Sequence, residues 1–566
     1  MMRKSLVFFT IALVASLLSV ALWADPASSE RRNAALAAAI RLPAGAFAAM
    51  ETIIPDRIRQ HVRFLSHDLL EGRGTGQRGG DIAAEYIATQ FALYGLKPAG
   101  DNGSYMQKVP LVGITPSPET RFWFVPSQGS AMELKPLDDY VAYDETQQSQ
   151  SDVDADMVYV GYGIEAPEYN WDDYKGTDVK GKVLLMLVNE PSDDPKIFKG
   201  PALTYYGRWT YKYEEAARKG AVGAILIHKT DMASYGWEVV RNSNSGEKSF
   251  LKLEGQPELK VASWIQYGVA EKLAKAARMD LNKMMTDARS RDFKPVELPI
   301  KLKAHMVSKV RPFESNNVIA MLPGSDRKLK DEGVMYTAHY DHLGIRPDMP
   351  GDNIYNGAED NATGCGILLE IARAYSQAAQ KPRRSIIFAS VTAEEQGLLG
   401  SEYLGKHPPL PAGKISLDLN YDDVKPLGAP EEVEVSGAER TTFYTFVQAT
   451  AREFRLAIRP DARPEAGHYY RSDHFSLARV GIPSFSINEG MKFKGHSEAW
   501  GLEQDRDYTA RRYHQPSDEY RPDMDFTGDS AMARFGFALG WEASGLPKLI
   551  QWQKGDEFEA PRSKSQ

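Results

Sequence analysis

The chain has 566 residues, 42% of them hydrophobic and 25% charged, and a formal net charge of -8. That length exceeds one ordinary core and calls for two domains, or one domain with a large insertion. The negative charge is spread along the chain and no run of Lys and Arg is interleaved with aromatics, which argues against a nucleic-acid partner. With Cys365 as the one cysteine, no internal disulfide can form.

Arg3 and Lys4 precede a long apolar run that gives way to polar residues after Ala24. This is the layout of a secretory signal peptide over residues 1–24, with cleavage after Ala21 or Ala24. An uncleaved membrane anchor is the alternative. No cysteine stands near this end to carry a lipid, so no membrane attachment is expected after cleavage. Export without disulfides suits a bacterial periplasm, or secretion.

Ile53 to Leu70 and Asp81 to Tyr94 carry apolar residues at helical spacing. Between them lies GRGTGQRGG, in which Gly74, Gly76 and Gly79 formally satisfy the GxGxxG dinucleotide fingerprint. That motif requires a preceding strand, and this one follows a helical pattern, so it reads as a turn. Residues 51–140 read as the opening part of an enzyme domain. From about Asp152 the texture changes to DMVYVGYGI, GKVLLMLVN, the helical YEEAARKGA and VGAILIH, continuing to VASWIQYGVAEKLAKAA. This block, residues 150–300, reads as an inserted β-rich α/β domain with the charged stretch Thr286 to Lys303 as its exit.

Residues 310–548 alternate again: NVIAMLPG, GVMYTAH, a helix from Ala362 to Gln380, SIIFASV, KISLDLN, a helix from Phe443 to Phe454, and GIPSFSIN. Strands alternating with amphipathic helices predict an α/β fold with a mostly parallel central sheet covered by helices on both faces. The tail, residues 555–566, is expected to be disordered.

Several of these strands end in residues that hold metals. GVMYTA runs into His339 and Asp341, a glycine-rich loop presents Asp360 just before a helix, SIIFASV runs into Glu394 and Glu395, and KISL runs into Asp418. His514 sits in the Pro-containing loop YHQPSDEY. A parallel sheet gathers such strand ends into one site. Two histidines and three carboxylates suit two zinc ions about 4 Å apart with one carboxylate bridging them. A glutamate left over is placed to act as general base.

The blocks AHYDHLG, NGAEDNATG, TAEEQGLLGSEYL, RSDHFSLARVGIP and YHQPSDEY resemble the signature of the co-catalytic di-zinc peptidase family that contains secreted bacterial aminopeptidases, glutamate carboxypeptidase and glutaminyl cyclase. LSHDLLEGRGTGQRGGDIAAEYIATQFALYGLKPAG resembles the opening of bacterial members, and the insertion resembles a protease-associated domain. The resemblance implies a zinc exopeptidase-like fold with His339 and Glu395 as ligands of different metals, Asp360 as the bridge, and Asp418 and His514 completing the set of two Zn2+. It implies Glu394 as general base and Asp341 as the acceptor that fixes the tautomer of His339. Asp422 and Asp423 follow closely behind Asp418, and register favours Asp418. Glu359 stands where the family more often has Asp, and His342 reads as a loop cap. Tyr469 matches a tyrosine that steadies the oxyanion in some aminopeptidases, while Tyr470 beside it reads equally as core. Asp473 and His474 fall near the site without being ligands, and Cys365 reads as a small packing residue.

The expected activity is therefore removal of amino-terminal residues from peptides by an exported zinc aminopeptidase. A glutamate-carboxypeptidase-like carboxypeptidase or dipeptidase is the enzymatic alternative, and glutaminyl cyclase shares the fold with a single zinc. A catalytically silent, receptor-like binding protein is the alternative from another class; it expects missing ligands or a lost base.

Overall fold

The computed structural model describes residues 42–565 except 192–196, 201, 234 and 348; the predicted signal peptide lies outside the described residues. Helix α1, Pro55–Leu65, starts on a proline at its first position, where a missing N–H costs nothing. Helix α2, Arg78–Leu93, buries Ala83, Ala84, Ile87 and Phe91 along one stripe. Strand β1, Met106–Pro116, leads out of this region.

The chain then builds a second apolar core. Strand β2, Tyr140–Tyr143, pairs antiparallel with β6, while β3, Gln150–Tyr159, β4, Val183–Leu187, β5, Gly223–His228, and β6, Val261–Gln266, lie parallel in that order. Strands β4 and β5 are buried throughout, as their continuous apolar runs require. Phe122 and Phe124 pack in this core, so it takes in residues that the sequence pattern groups with the preceding segment.

The 27-residue strand β7, Val296–Leu322, ties the two halves into one sheet. Its first part pairs with β3, its middle with β1, and its last residues with β9. The charged stretch expected to lead out of the insertion thus feeds directly into β7. Beyond it come β8, Gly333–His339; helix α3, Thr363–Gln377; β9, Ser385–Val391; β10, Ile415–Asn420; helix α4, His474–Arg479; and β11, Ser484–Ser486. Helices α5, Thr527–Gly545, and α6, Glu559–Ser565, follow.

Strands run β11-β10-β8-β9-β7 across this half, and β8 is parallel to both β9 and β10. One face carries α1, α2, α3 and α5, with Phe388, Tyr336, Tyr375 and Phe537 among the buried contacts. Leu404 and Leu477 cover the other face against Met335, Ile387 and Val391. This is the mostly parallel, doubly covered α/β sheet the sequence predicts.

The tail departs from expectation. Helix α6 docks because Arg562, 1% exposed, donates to the carbonyls of Ala412, Ile415 and Ile550, and because Phe558 is buried beside Trp552 and Phe475. Its polar composition hid one deeply buried cation with three backbone acceptors. Among the described residues no helix is long and apolar enough to cross a membrane.

Candidate metal centre

Parallel register decides which residues meet. His339 pairs with Val391 at the ends of β8 and β9, so Glu394 and Glu395 emerge just beyond that edge. Thr337 pairs with Asn420, and two residues further on His339 and Asp422 stand level. Asp360 arrives from the loop before α3, and His514 from a loop where its φ is 56°.

Two groups of side chains converge here and share Asp360. In one, His339 Nε2 lies 3.1 Å from Asp422 Oδ1 and 3.4 Å from Asp360 Oδ1. In the other, His514 Nε2 lies 3.3 Å from Asp360 Oδ2 and 3.2 Å from Glu395 Oε2. His342 joins the second group, with Nδ1 2.6 Å from Glu395 Oε1 and 3.9 Å from Asp360 Oδ2.

The hydrogen bonding around His339 tests whether these residues suit a cation. Its Nδ1 donates to the Asp341 carbonyl at 3.1 Å, which leaves Nε2 as a bare acceptor facing two carboxylates, themselves acceptors. Only a cation or a proton reconciles three acceptors. His342 Nδ1 and Glu395 Oε1 approach closely without hydrogen-bond alignment, and neither has another partner. A histidine-and-carboxylate donor set of this kind suits zinc.

Charge at the site follows from burial. Glu394, half-buried, has its carboxyl pushed well above the usual range by burial, with His339 opposing and Asp422, Glu395 and Asp473 adding to the rise. Its backbone N–H donates to Asp341 Oδ1 at 3.1 Å. Burial pushes Asp341 up to about 6, with His339 pulling back. Asp518, in the same loop as His514, accepts the N–H groups of Glu359 and Asp360 and so locks that loop to the Asp360 turn. The Tyr513 ring stacks on His514 with centroids 3.9 Å apart.

The structure brings His339, Asp360, Glu394, Glu395 and His514 to one place. It does not bring Asp418 there. Strand β10 continues to Asn420, so Asp418 stays inside the sheet opposite Met335, where Oδ1 accepts from Thr337 and Oδ2 has no partner. Asp422, past the strand's end, occupies the place expected of Asp418; it also accepts a 2.5 Å bond from Ser472 Oγ. Asp341 differs in detail from its expected role. Its backbone carbonyl, not its carboxylate, takes the hydrogen bond from His339, and its Oδ1 lies 3.8 Å from Nδ1.

Tyr469 also lies elsewhere. Its hydroxyl donates to the Ser484 carbonyl and its ring packs on His474, so it lines a neighbouring cavity of about 290 Å³ with Leu203, Gly437, Arg440 and Tyr470. Glu359 faces Arg512 and Arg521. Cys365, buried, donates to the His339 carbonyl. Sequence reasoning passed over Asp422 and His342 as members of the cluster. The level of Asn420 in the sheet was the missing signal for the first, and the second was indistinguishable from a loop cap.

Residues 317–535 match the model of peptidase family M28. Among curated proteins, leupeptin-inactivating enzyme 1 of Streptomyces exfoliatus is 27% identical over 202 residues, 35% of this chain and 44% of that protein. A probable zinc metalloprotease of Pyrenophora teres f. teres is 33% identical over 114 residues, 20% of this chain and 23% of its own. The chain thus spans less than half the length of these curated relatives. Among solved structures, an aminopeptidase from Aneurinibacillus sp. strain AM-1 aligns over 88% of this chain and 96% of its own at 19% identity and a TM-score of 0.49. A zinc aminopeptidase from Bacillus subtilis covers 90% and 97% at 17% identity and a TM-score of 0.40.

Proposed function

We propose that this protein, whose residues 317–535 belong to peptidase family M28, is an exported zinc aminopeptidase that binds two zinc ions per chain. The observation that carries the reading is the pair of carboxylate-and-histidine groups meeting at Asp360. His339, Asp360 and Asp422 would hold one ion, and Asp360 and Glu395 the other with His514, His342 lying against the same two carboxylates. Zinc in such a site polarises the scissile carbonyl and lowers the pKa of a bound water.

The chain's own residues supply the rest. Glu394 has no role in either group and stands beside both, where a carboxylate takes a proton from water and returns it to the leaving amine. Asp341 fixes the Glu394 backbone through its Oδ1. The Asp341 carbonyl holds His339 in the tautomer that presents Nε2 to the centre.

Amino-terminal trimming is favoured over carboxyl-terminal trimming by charge. Glu394 is a carboxylate left outside both zinc groups, and it attracts a substrate α-ammonium. Three cations close to the centre are already engaged, Arg512 and Arg521 with Glu359 and Lys425 with Asp505. The protease-associated character of residues 150–300 and the export signal belong to the same proposal.

A panel of free, amino-acetylated and carboxyl-amidated peptides tests it, with products identified by mass. Single residues should leave the amino end of free and amidated peptides, and acetylation should block cleavage. Release from the carboxyl end, or inertness toward every peptide, would overturn the reading. Glu394→Gln is expected to keep the metal and lower kcat by about 10²–10⁴.

A further inference from the structure

The segment GRGTGQ, which reads in sequence as a turn, holds the two loops that converge on Asp360. Arg73 is fully buried, and its four hydrogen bonds all go to backbone carbonyls. Nε donates to Tyr340 at 2.6 Å, Nη2 to Gly357 at 2.8 Å, and Nη1 to Asn356 at 2.5 Å and to Leu65 at 2.7 Å. Tyr340 lies between His339 and Asp341, and Gly357 precedes Asp360 by three residues. One planar guanidinium therefore spans the loop that carries His339 and the loop that carries Asp360.

Neighbouring contacts point the same way. The Arg73 carbonyl accepts from the His342 backbone N–H at 3.2 Å, and Thr75 Oγ1 donates to Asp341 Oδ2 at 2.9 Å. Gly72 has φ 67°, and a Cβ there would lie 2.6 Å from the carbonyls of Gly344 and Tyr355, so the backbone passes where no side chain fits. A Lys offers three donors on a flexible stem and cannot match four carbonyls from three chain segments, whereas the five N–H groups of a guanidinium sit in one fixed plane.

We infer that Arg73, with Thr75, is a positioning device for the metal centre: it sets the spacing of His339 and Asp360 and so sets zinc affinity, without touching substrate or metal. The inference rests on the metallopeptidase reading above. Electrostatics and geometry predict opposite signs here, which makes it testable. As a positive charge close to a cation site, Arg73 opposes zinc binding, so a purely electrostatic role means tighter zinc once the charge is removed. A positioning role means weaker zinc even when the charge is kept.

The test is zinc affinity of the metal-stripped full chain, measured by competition with a chromogenic chelator, together with thermal unfolding of the same metal-free protein. Arg73→Lys keeps the charge and should weaken zinc by about ten- to a hundredfold, the range typical of residues that orient metal ligands. A merely structural role would lower the metal-free melting temperature and leave zinc affinity unchanged, and that result would overturn the inference. Should Arg73→Lys fail to fold, Thr75→Val on a half-buried position is measured the same way; weaker zinc supports the inference and unchanged zinc overturns it. If the wild-type chain binds no zinc, the metallopeptidase reading fails along with this one. If it binds zinc and both variants match it, only the positioning role fails.

Discussion

Asp418 and Asp422 stand four positions apart, the first inside β10 and the second past its end at Asn420. The sequence marks both as acids beyond an apolar run, and only the register against β8 shows that Asn420 is the last paired residue. Asp422→Asn should therefore lose zinc from the group that contains His339, while Asp418→Asn should keep the full complement, read as zinc per chain after dialysis. The reverse pattern would show that β10 ends earlier than the structure has it. His339, Asp360 and the Glu394–Glu395 pair, which the sequence singles out by type and local context, are among the residues the structure brings together. Arg73 was not legible in sequence, because its meaning lies in carbonyls as far as 284 positions away, and a carbonyl carries no side-chain signature.

At the scale of elements, alternating apolar runs and helical stripes placed β8, β9, β10, α2 and α3 close to where they lie. Polar elements were harder to read. Helix α6 escaped because its anchor is a buried Arg. The short strand Asn488–Glu489 after β11 holds a comparable surprise. Glu489 is 7% exposed; its Oε1 accepts from the Lys425 N–H and its Oε2 has no partner. Burial pushes it from 4.5 up to about 7, with Lys425 pulling the other way. A folded-state pKa raised above the unfolded one stabilises fully below pH about 4.5, and that contribution is lost as pH rises through about 7. The effect is on the order of 3 kcal/mol at most, from about 1.4 kcal/mol per unit. Urea midpoints at pH 5 and pH 8 should thus fall less for Glu489→Gln than for the wild type. An equal fall in both would place the sensitivity elsewhere.

For the whole molecule, one strand organises two cores. β7 runs from the sheet of the second core into the sheet that carries the metal centre, and the cavity beside Tyr469 takes Lys199 and Leu203 from one part and Glu434 to Tyr470 from the other. Composition and texture separated these parts, but Phe122 and Phe124 show that the second core begins earlier than the change in texture suggests. Among the described residues Asp360 is the carboxylate common to both side-chain groups. The most direct measurement is native mass spectrometry of the metal-stripped chain titrated with zinc. Two zinc ions bound per chain, with the second lost in Asp360→Asn, is the predicted result; a wild-type chain that stops at one zinc, or binds none, would contradict the shared two-metal centre.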